Sequence, residues 1–357
     1  MELEDPELFA QSAGLVYVSD TWPGYTRVRK GKGFVYLDEK DNKVVDPKVL
    51  DRIHKIVIPP AWEKVWICKK KNGHLQVTGY DQKGRKQYLY QEKWMDLRNK
   101  TKYDEMYEFG RALPKIRSTL EEHLKFNKLS REKVLAGVVS LLDESMVRVG
   151  NSFYAKENES FGLTTIRSKH AKINGTKVEL EFKGKSGVQH YIKITDKRLT
   201  KIIKECNELP GYEIFKYIDE EGNIQDVESG HVNEYLREIS GKYFTAKYFR
   251  TWGGSIEALK AYVEQQQQDD FDKRKKKLTQ VVKCVSIKLN NTISICRDYY
   301  IHSKVIDFIL EEKPIEIKEI TENREAGLSE IENFFLKLIK PKAEEVKKVV
   351  ETVAVKK

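Results

Sequence analysis

The chain has 357 residues, 39% hydrophobic and 34% charged, with a net charge of +10. That length and apolar content suit two packed domains, and the basic balance favours a polyanionic partner, nucleic acid ahead of a membrane surface. The opening MELEDPELFA has no apolar secretory core, no apolar run approaches ~18 residues, and Cys68, Cys206, Cys284 and Cys296 form no Cys-x-x-Cys pair, which argues against a zinc site and fits a reducing compartment.

Residues 1–97 carry strand and turn signals. Phe34, Tyr36 and Leu37 lead into the turn-like run 39–42, and Val44-Val45 follow. Pro59-Pro60 marks a bend. Val65, Trp66 and Ile67 precede a basic run ending in Asn72-Gly73, after which Leu75 and Val77 alternate with polar residues. An Asn-Gly step between apolar stretches is a hairpin signal. The segment reads as a small β-rich N-terminal domain.

Residues 98–325 read as mainly helical. Ser118 followed by Glu121 has the form of a capping box. Ser130 is placed to cap a helix whose apolar face carries Val134, Leu135, Val138, Leu141 and Leu142. One β interruption is predicted: Lys177 to Phe182, a Lys-Gly-Lys-Ser-Gly turn, then Val188 to Ile194. The alternation of Val178, Leu180 and Phe182 fits a half-buried strand, and it puts Lys185 at an exposed hairpin tip. Residues 264–277 form a polar, hinge-like segment. The helix after it has Val281, Val282, Val285 and Leu289 at helical spacing and stops near Asn290-Asn291. Thr292 or Ser294 can cap the next helix, which carries Tyr299-Tyr300. Residues 326–357 read as a Lys/Glu-rich helical tail. The class expected is α+β: a β-rich N-terminal domain, a mostly α domain with a small antiparallel sheet, and the tail.

Five separated segments share one possible chemistry: those holding Arg148, Lys185, Arg250, Asn291 and Tyr300. Attack on a phosphodiester gathers negative charge on the nonbridging oxygens, which two permanently charged guanidinium forks suit by geometry. An amide adds a third donor. A lysine on a hairpin tip can protonate the leaving 5′ oxygen as general acid. A tyrosine nucleophile, with an ordinary pKa of about 10, needs nearby cations to favour its phenolate. Singly, each residue has a blander reading: a salt-bridge arginine, a solvated turn lysine, a packing tyrosine, a capping asparagine. Composition and spacing alone give a basic two-domain protein that is a candidate for binding DNA.

The ordered set resembles the poxvirus and bacterial type IB DNA topoisomerases, through nearly the whole chain to about residue 310. Residues 58–67 (IPPAWEKVWI), 84–88 (GRKQY), 160–167 (SFGLTTIR) and 249–253 (FRTWG) carry the pattern. By that resemblance Tyr300 matches the nucleophile that forms a 3′-phosphotyrosine, Arg148 and Arg250 match the transition-state arginines, and Lys185 matches the general acid. Asn291 falls where poxvirus enzymes carry histidine, a departure that keeps a donor but supplies no charge. Tyr299 is a neighbouring decoy, since the family tyrosine precedes an Ile/Val/Met step. Lys83, Arg85, Gln87, Tyr88 and Tyr90 match the family's DNA-contacting segment, with Arg98 and Tyr154 as further contacts. Which face of that segment would meet the groove stays open.

The resemblance implies a tyrosine recombinase-like catalytic core and a bilobal clamp on duplex DNA. It also implies ATP- and metal-independent nicking, strand rotation and religation, relaxing supercoils of both signs. No cofactor, metal or membrane is expected, and the chain is expected to act as a monomer. The expected place is the nucleoid-associated cytoplasm for a bacterial source, or the host cell or virion for a viral one. Two alternatives remain at this point. A tyrosine recombinase shares the chemistry but usually shows His-x-x-Arg where this chain has Lys247 to Arg250. A noncatalytic architectural DNA-binding protein would need only the basic surface.

Overall fold

The computed structural model describes residues 6–31, 33–266, 274–315 and 327–341; side chains at 99–102, 104, 154 and 274–276 lie outside the description. The chain divides into two compact units, Met1–Lys102 and Tyr103–Lys357.

The first unit holds α1 (Pro6–Ser12), β1 (Gly24–Lys30), β2 (Gly33–Leu37), α2 (Pro47–Lys55), β3 (Glu63–Cys68), β4 (Leu75–Tyr80) and β5 (Lys86–Tyr90). The strands form one antiparallel sheet in the order β2-β1-β3-β4-β5. The Asn72-Gly73 hairpin joins β3 to β4, with Ile67 opposite Val77. Gly73 is required there, because a Cβ would come within 2.7 Å of the Cys68 Sγ. Val44-Val45 do not continue a strand. Val44 N–H closes the turn onto the Tyr36 carbonyl, Val45 is exposed, and Asp46 caps α2 by accepting from Lys48 N–H, with Pro47 opening the helix. Tyr36, Ile53, Val65, Ile67 and Val77 form the core of this unit.

Helix α3 (Glu92–His123) leads into the second unit. It runs unbroken past Ser118, so the capping box expected there is absent. Leu113, Ile116 and Leu120 are buried on one face around that position, and packing outweighs the local Ser-x-x-Glu signal. Next come α4 (Arg131–Ser145), α5 (Ser152–Asn158), β6 (Ala171–Asn174), β7 (Lys177–Lys183), β8 (Gln189–Ile194) and α6 (Lys197–Glu208). The short pair β9 (Lys216–Ile218) and β10 (Ile224–Asp226) follows, then α7 (Ser229–Ser240), α8 (Ala246–Gln266), α9 (Arg274–Leu289), α10 (Ile293–Tyr299), α11 (Ser303–Leu310) and α12 (Glu330–Ile339). Strands β6, β7 and β8 make an antiparallel sheet in chain order. Ser130 caps α4 by accepting from Lys133 N–H, and the five apolar residues expected on its inner face are buried. The centre of the 264–277 segment, 267–273, lies outside the described residues, as does the chain beyond 341.

Helix α8 is the axis of this unit and packs against α4, α9, α11 and α12. The start of the expected charged tail is not solvated: α12 buries Ile331, Phe335 and Ile339 in the core, and Phe335 lies 4.8 Å from the Trp252 ring. A buried ionic cluster fastens it. Arg117 of α3 donates to both Asp143 oxygens (2.8 and 3.0 Å) and to both Glu332 oxygens (3.1 and 2.8 Å). Glu332 also accepts from Trp252 Nε1 at 3.1 Å and from Ser329 N–H at 2.8 Å. The apolar periodicity of 331–339 carries this signal within a segment whose composition is charged.

Candidate active site

Two glycines and a left-handed residue shape the Arg148 segment. Helix α4 ends on Met146 at φ 53°, and the chain then extends to Gly150 at φ 107°. Gly162 passes so close that a Cβ on it would lie 2.5 Å from Gly150 Cα. That approach lets Leu163 N–H bond the Arg148 carbonyl at 3.0 Å and Thr164 N–H bond the Val149 carbonyl at 2.7 Å. The 160–167 segment therefore holds the backbone that presents Arg148, whose side chain is half-buried.

Arg250 lies in α8 and is 3% exposed. One of its terminal nitrogens donates to the Met146 carbonyl and the other to the Leu289 carbonyl at 3.1 Å, joining the ends of α4 and α9. Its Nε is buried without a protein partner. Burial, then the charge of Arg148, lowers its pKa, and Tyr300 works in the opposite sense.

Tyr300 is the residue at which α10 ends. Thr292 caps the start of that helix by accepting from Ile295 N–H at 3.3 Å. The N–H groups of Tyr300 and Ile301 both bond the Cys296 carbonyl at 3.0 Å. Tyr103 Oη donates to the Ile301 carbonyl at 2.9 Å, and His302 N–H donates to Ser255 Oγ at 2.9 Å. On the other side, the Tyr300 carbonyl lies against Gly254, where a Cβ would stand 2.6 Å from it. The Tyr300 ring faces the Arg250 guanidinium, with Cζ 4.9 Å from the ring centroid, and Arg250 hydrogen-bonds its phenol. Burial raises the phenol pKa, but Arg250, Arg148 and the exposed Lys247 outweigh it, so the net direction is down. Tyr299 lies instead in the field of Tyr103. Cys296, behind the tyrosine, is buried with its thiol pushed up to about 11, so it stays protonated at neutral pH.

Asn290 takes a left-handed turn at φ 48° after α9. The next residue, Asn291, accepts Thr292 N–H on its Oδ1 at 3.2 Å, which leaves its buried Nδ2 as a donor without a protein partner. Lys185 is exposed on the turn between β7 and β8 and has no hydrogen bond or ion pair among the described residues. The structure thus gathers Arg148, Arg250 and Tyr300, sets Asn291 two residues beyond the Leu289 carbonyl that Arg250 holds, and leaves Lys185 outside their direct contacts. Sequence reasoning missed His190. It is buried in the field of both arginines, and burial followed by their charges lowers its pKa to about 4. Among the described residues, no group of three or more His, Cys, Asp and Glu side chains is placed to hold a metal ion.

In the first unit, the DNA-contact candidates lie on or beside β5, which is a regular strand here. Lys86, Tyr88 and Tyr90 share one face, and Tyr88 stacks on Tyr90 with centroids 6.1 Å apart. Gln87 points the other way, with Leu89, which packs on the core. Gln87 and Arg85 both donate to Asp81 (2.9 and 2.8 Å), and Lys83 contributes its backbone N–H to the same carboxylate. The Arg85 side chain above all, with the Arg85 and Lys83 N–H groups, holds Asp81 down to about 2 against a small opposing effect of burial, so the clamp stays charged at neutral pH. Arg98 is exposed on α3 and lies in the field of Tyr90 and His74. The Tyr154 side chain lies outside the described residues, on α5.

Residues 91–326 match the family model of the eukaryotic DNA topoisomerase I catalytic core. The chain belongs to the type IB DNA topoisomerases. Residues 33–81 of the enzyme match the bacterial DNA topoisomerase IB N-terminal domain. A DNA topoisomerase 1B of Acanthamoeba polyphaga mimivirus is 31% identical over 291 residues, covering 80% of this chain and 87% of the relative. The DNA topoisomerase 1B of vaccinia virus (strain Copenhagen) is 27% identical over 189 residues, 52% of this chain and 53% of the viral protein. A DNA topoisomerase 1 from Mycosarcoma maydis is 26% identical over 176 residues, 44% of this chain and 17% of the relative. No described helix is long and apolar enough to cross a membrane.

Proposed function

We propose that this topoisomerase relaxes supercoiled duplex DNA of either sign through a 3′-phosphotyrosine on Tyr300, with no ATP and no metal ion. The phenol gives its proton to water, and its oxygen bonds the scissile phosphorus. The bond from phosphorus to the 5′ oxygen breaks, and Lys185 supplies the proton that the 5′ oxygen takes. Arg148, Arg250 and the amide of Asn291 donate to the nonbridging oxygens, where charge develops. One phosphodiester is exchanged for another, so the free strand can rotate and its 5′ hydroxyl can reverse the step without external energy.

The observation that carries this reading is the Arg250 guanidinium against the Tyr300 phenol, with Arg148 in the same field. The unpartnered Nδ2 of Asn291 and Nε of Arg250 support it as donors available to a phosphate. The tyrosine recombinase-like core, the bilobal clamp and action as a monomer belong to the same proposal. So do the domain roles: DNA grip by 1–97 through Lys83, Arg85, Gln87, Tyr88, Tyr90 and Arg98, and catalysis by 98–325 with Tyr154 as a further contact. Basic side chains would hold phosphates, while tyrosine and glutamine tips reach sugar or base edges. The test is a plasmid lacking any recombination site, incubated with EDTA and without ATP. Relaxation is the expected result, and an unchanged supercoiled band would overturn the reading.

A further inference from the structure

The residue that packs the Lys185 turn against the Asn290-Asn291 turn is absent from the five-segment chemistry. His190 sits on β8 opposite Phe182, and the two rings stack with centroids 5.3 Å apart and planes 12° apart. One edge of the imidazole meets α9's terminus: Nδ1 lies 3.3 Å from Asn290 Nδ2. The other edge meets the turn itself. Gly184 lies so close that a Cβ on it would stand 2.5 Å from His190 Cδ2 and 2.6 Å from Nε2. Gly184 N–H then closes the turn onto the Val188 carbonyl at 2.7 Å, and Lys185 follows directly. A second tie fixes the same turn, since Phe161 N–H bonds the Lys183 carbonyl at 2.8 Å, two residues before Leu163 reaches Arg148.

We infer that His190 is a positioning residue for the general acid, a flat spacer that sets the Lys185 turn at a fixed place relative to Arg148, Arg250 and the Asn290-Asn291 turn. The inference rests on the catalytic reading above and goes beyond it by naming what orients Lys185. Histidine suits the place for three reasons. Its flat ring stacks on Phe182 and fits against a glycine. Its Nδ1 lone pair accepts from the Asn290 amide, which a phenylalanine could not do. It stays uncharged beside two guanidinium groups, as its depressed pKa indicates. Asn290 and Phe182 are its direct partners, and Arg148 and Arg250 are the charged groups that act on it.

The test separates proton delivery from phosphate stabilisation. A 5′-bridging phosphorothiolate in a short duplex replaces the leaving oxygen with sulfur, whose thiolate leaves without a proton. His190→Ala is expected to cleave the ordinary phosphodiester ~10–100-fold more slowly, the range for a displaced general acid, with unchanged DNA affinity. On the phosphorothiolate it is expected to match the unmodified protein within about threefold, as Lys185→Ala should. His190→Asn, which keeps an acceptor near the Nδ1 position, should recover part of the loss on the phosphodiester. His190→Phe keeps the stack and serves the comparison if the alanine variant does not fold; it should follow the alanine pattern. An equal defect on both substrates, or no defect on either, would overturn the inference. Failure of the catalytic reading looks different: the unmodified protein would form no covalent adduct on the phosphorothiolate.

Discussion

Replacing Glu332 with glutamine should unseat α12 to a degree that can be worked from its surroundings. Burial alone would raise the carboxyl pKa. The bonds and charge of Arg117, the Ser329 N–H and the Trp252 indole reverse that and hold it down to about 2, against an ordinary 4.5. At ~1.4 kcal/mol per pH unit, that gap is about 3 kcal/mol of folding stability. The folded pKa lies below the unfolded one, so this stability is fully present above pH 4.5 and drains away as pH falls toward 2. Glutamine keeps the shape but cannot be ionised, so Glu332→Gln should lack the term at every pH. Removing one member of a buried ionic cluster typically costs ~3–5 kcal/mol, and Asp143 still pairs with Arg117, which favours the lower end. For a domain of this size, about 3 kcal/mol lowers Tm by roughly 6–12 °C. Calorimetry at pH 7 and at steps down to pH 3 reads both effects. Melting of Glu332→Gln together with the unmodified protein at pH 7, or an equal slope of Tm loss in both below pH 4.5, would refute this role of Glu332.

Three further outcomes follow from the site. Arg250→Ala should slow single-turnover strand cleavage by at least the ~10²–10³-fold typical of losing one oxyanion donor, read by gel on an end-labelled duplex. Gly254→Ala puts a Cβ 2.6 Å from the Tyr300 carbonyl and must shift the tyrosine; cleavage should fall by about tenfold or more, while DNA affinity measured by fluorescence anisotropy stays unchanged. Because Arg148 helps lower the Tyr300 pKa, Arg148→Ala should move the rising limb of the cleavage pH–rate profile to higher pH. Rates measured from pH 6 to 10 read that shift, and an unmoved limb would contradict the assignment of the phenolate.

Much of the architecture is written in local pattern. The Asn72-Gly73 turn, the alternation through Val178, Leu180 and Phe182, and the Ser130 and Thr292 caps each specify their element within a few residues. Where local signals conflict with burial they mislead. Ser118 reads as a helix start but lies inside α3, because the neighbouring Leu113, Ile116 and Leu120 face the core. The segment 330–339 reads as charged tail, yet every third or fourth residue is apolar and α8 supplies a surface for it. At the site, Tyr300 and the arginines are identifiable through family resemblance. His190 is not, since a single histidine in an alternating strand is ordinary and its meaning comes from Gly184, Asn290 and two arginines distant in sequence. The Asp81 clamp on Arg85 and Gln87 is equally silent until the turn is folded.

The proposed reaction bonds the Tyr300 oxygen to DNA, and one trapping experiment tests for that bond. Supercoiled plasmid is incubated with the unmodified chain, Tyr300→Phe and Tyr299→Phe, quenched with denaturant, and probed for protein attached to the 3′ end of a nick. Adduct is expected with the unmodified chain and with Tyr299→Phe, and none with Tyr300→Phe, which should still bind DNA. Adduct surviving in Tyr300→Phe, or disappearing only in Tyr299→Phe, would contradict the proposed reaction.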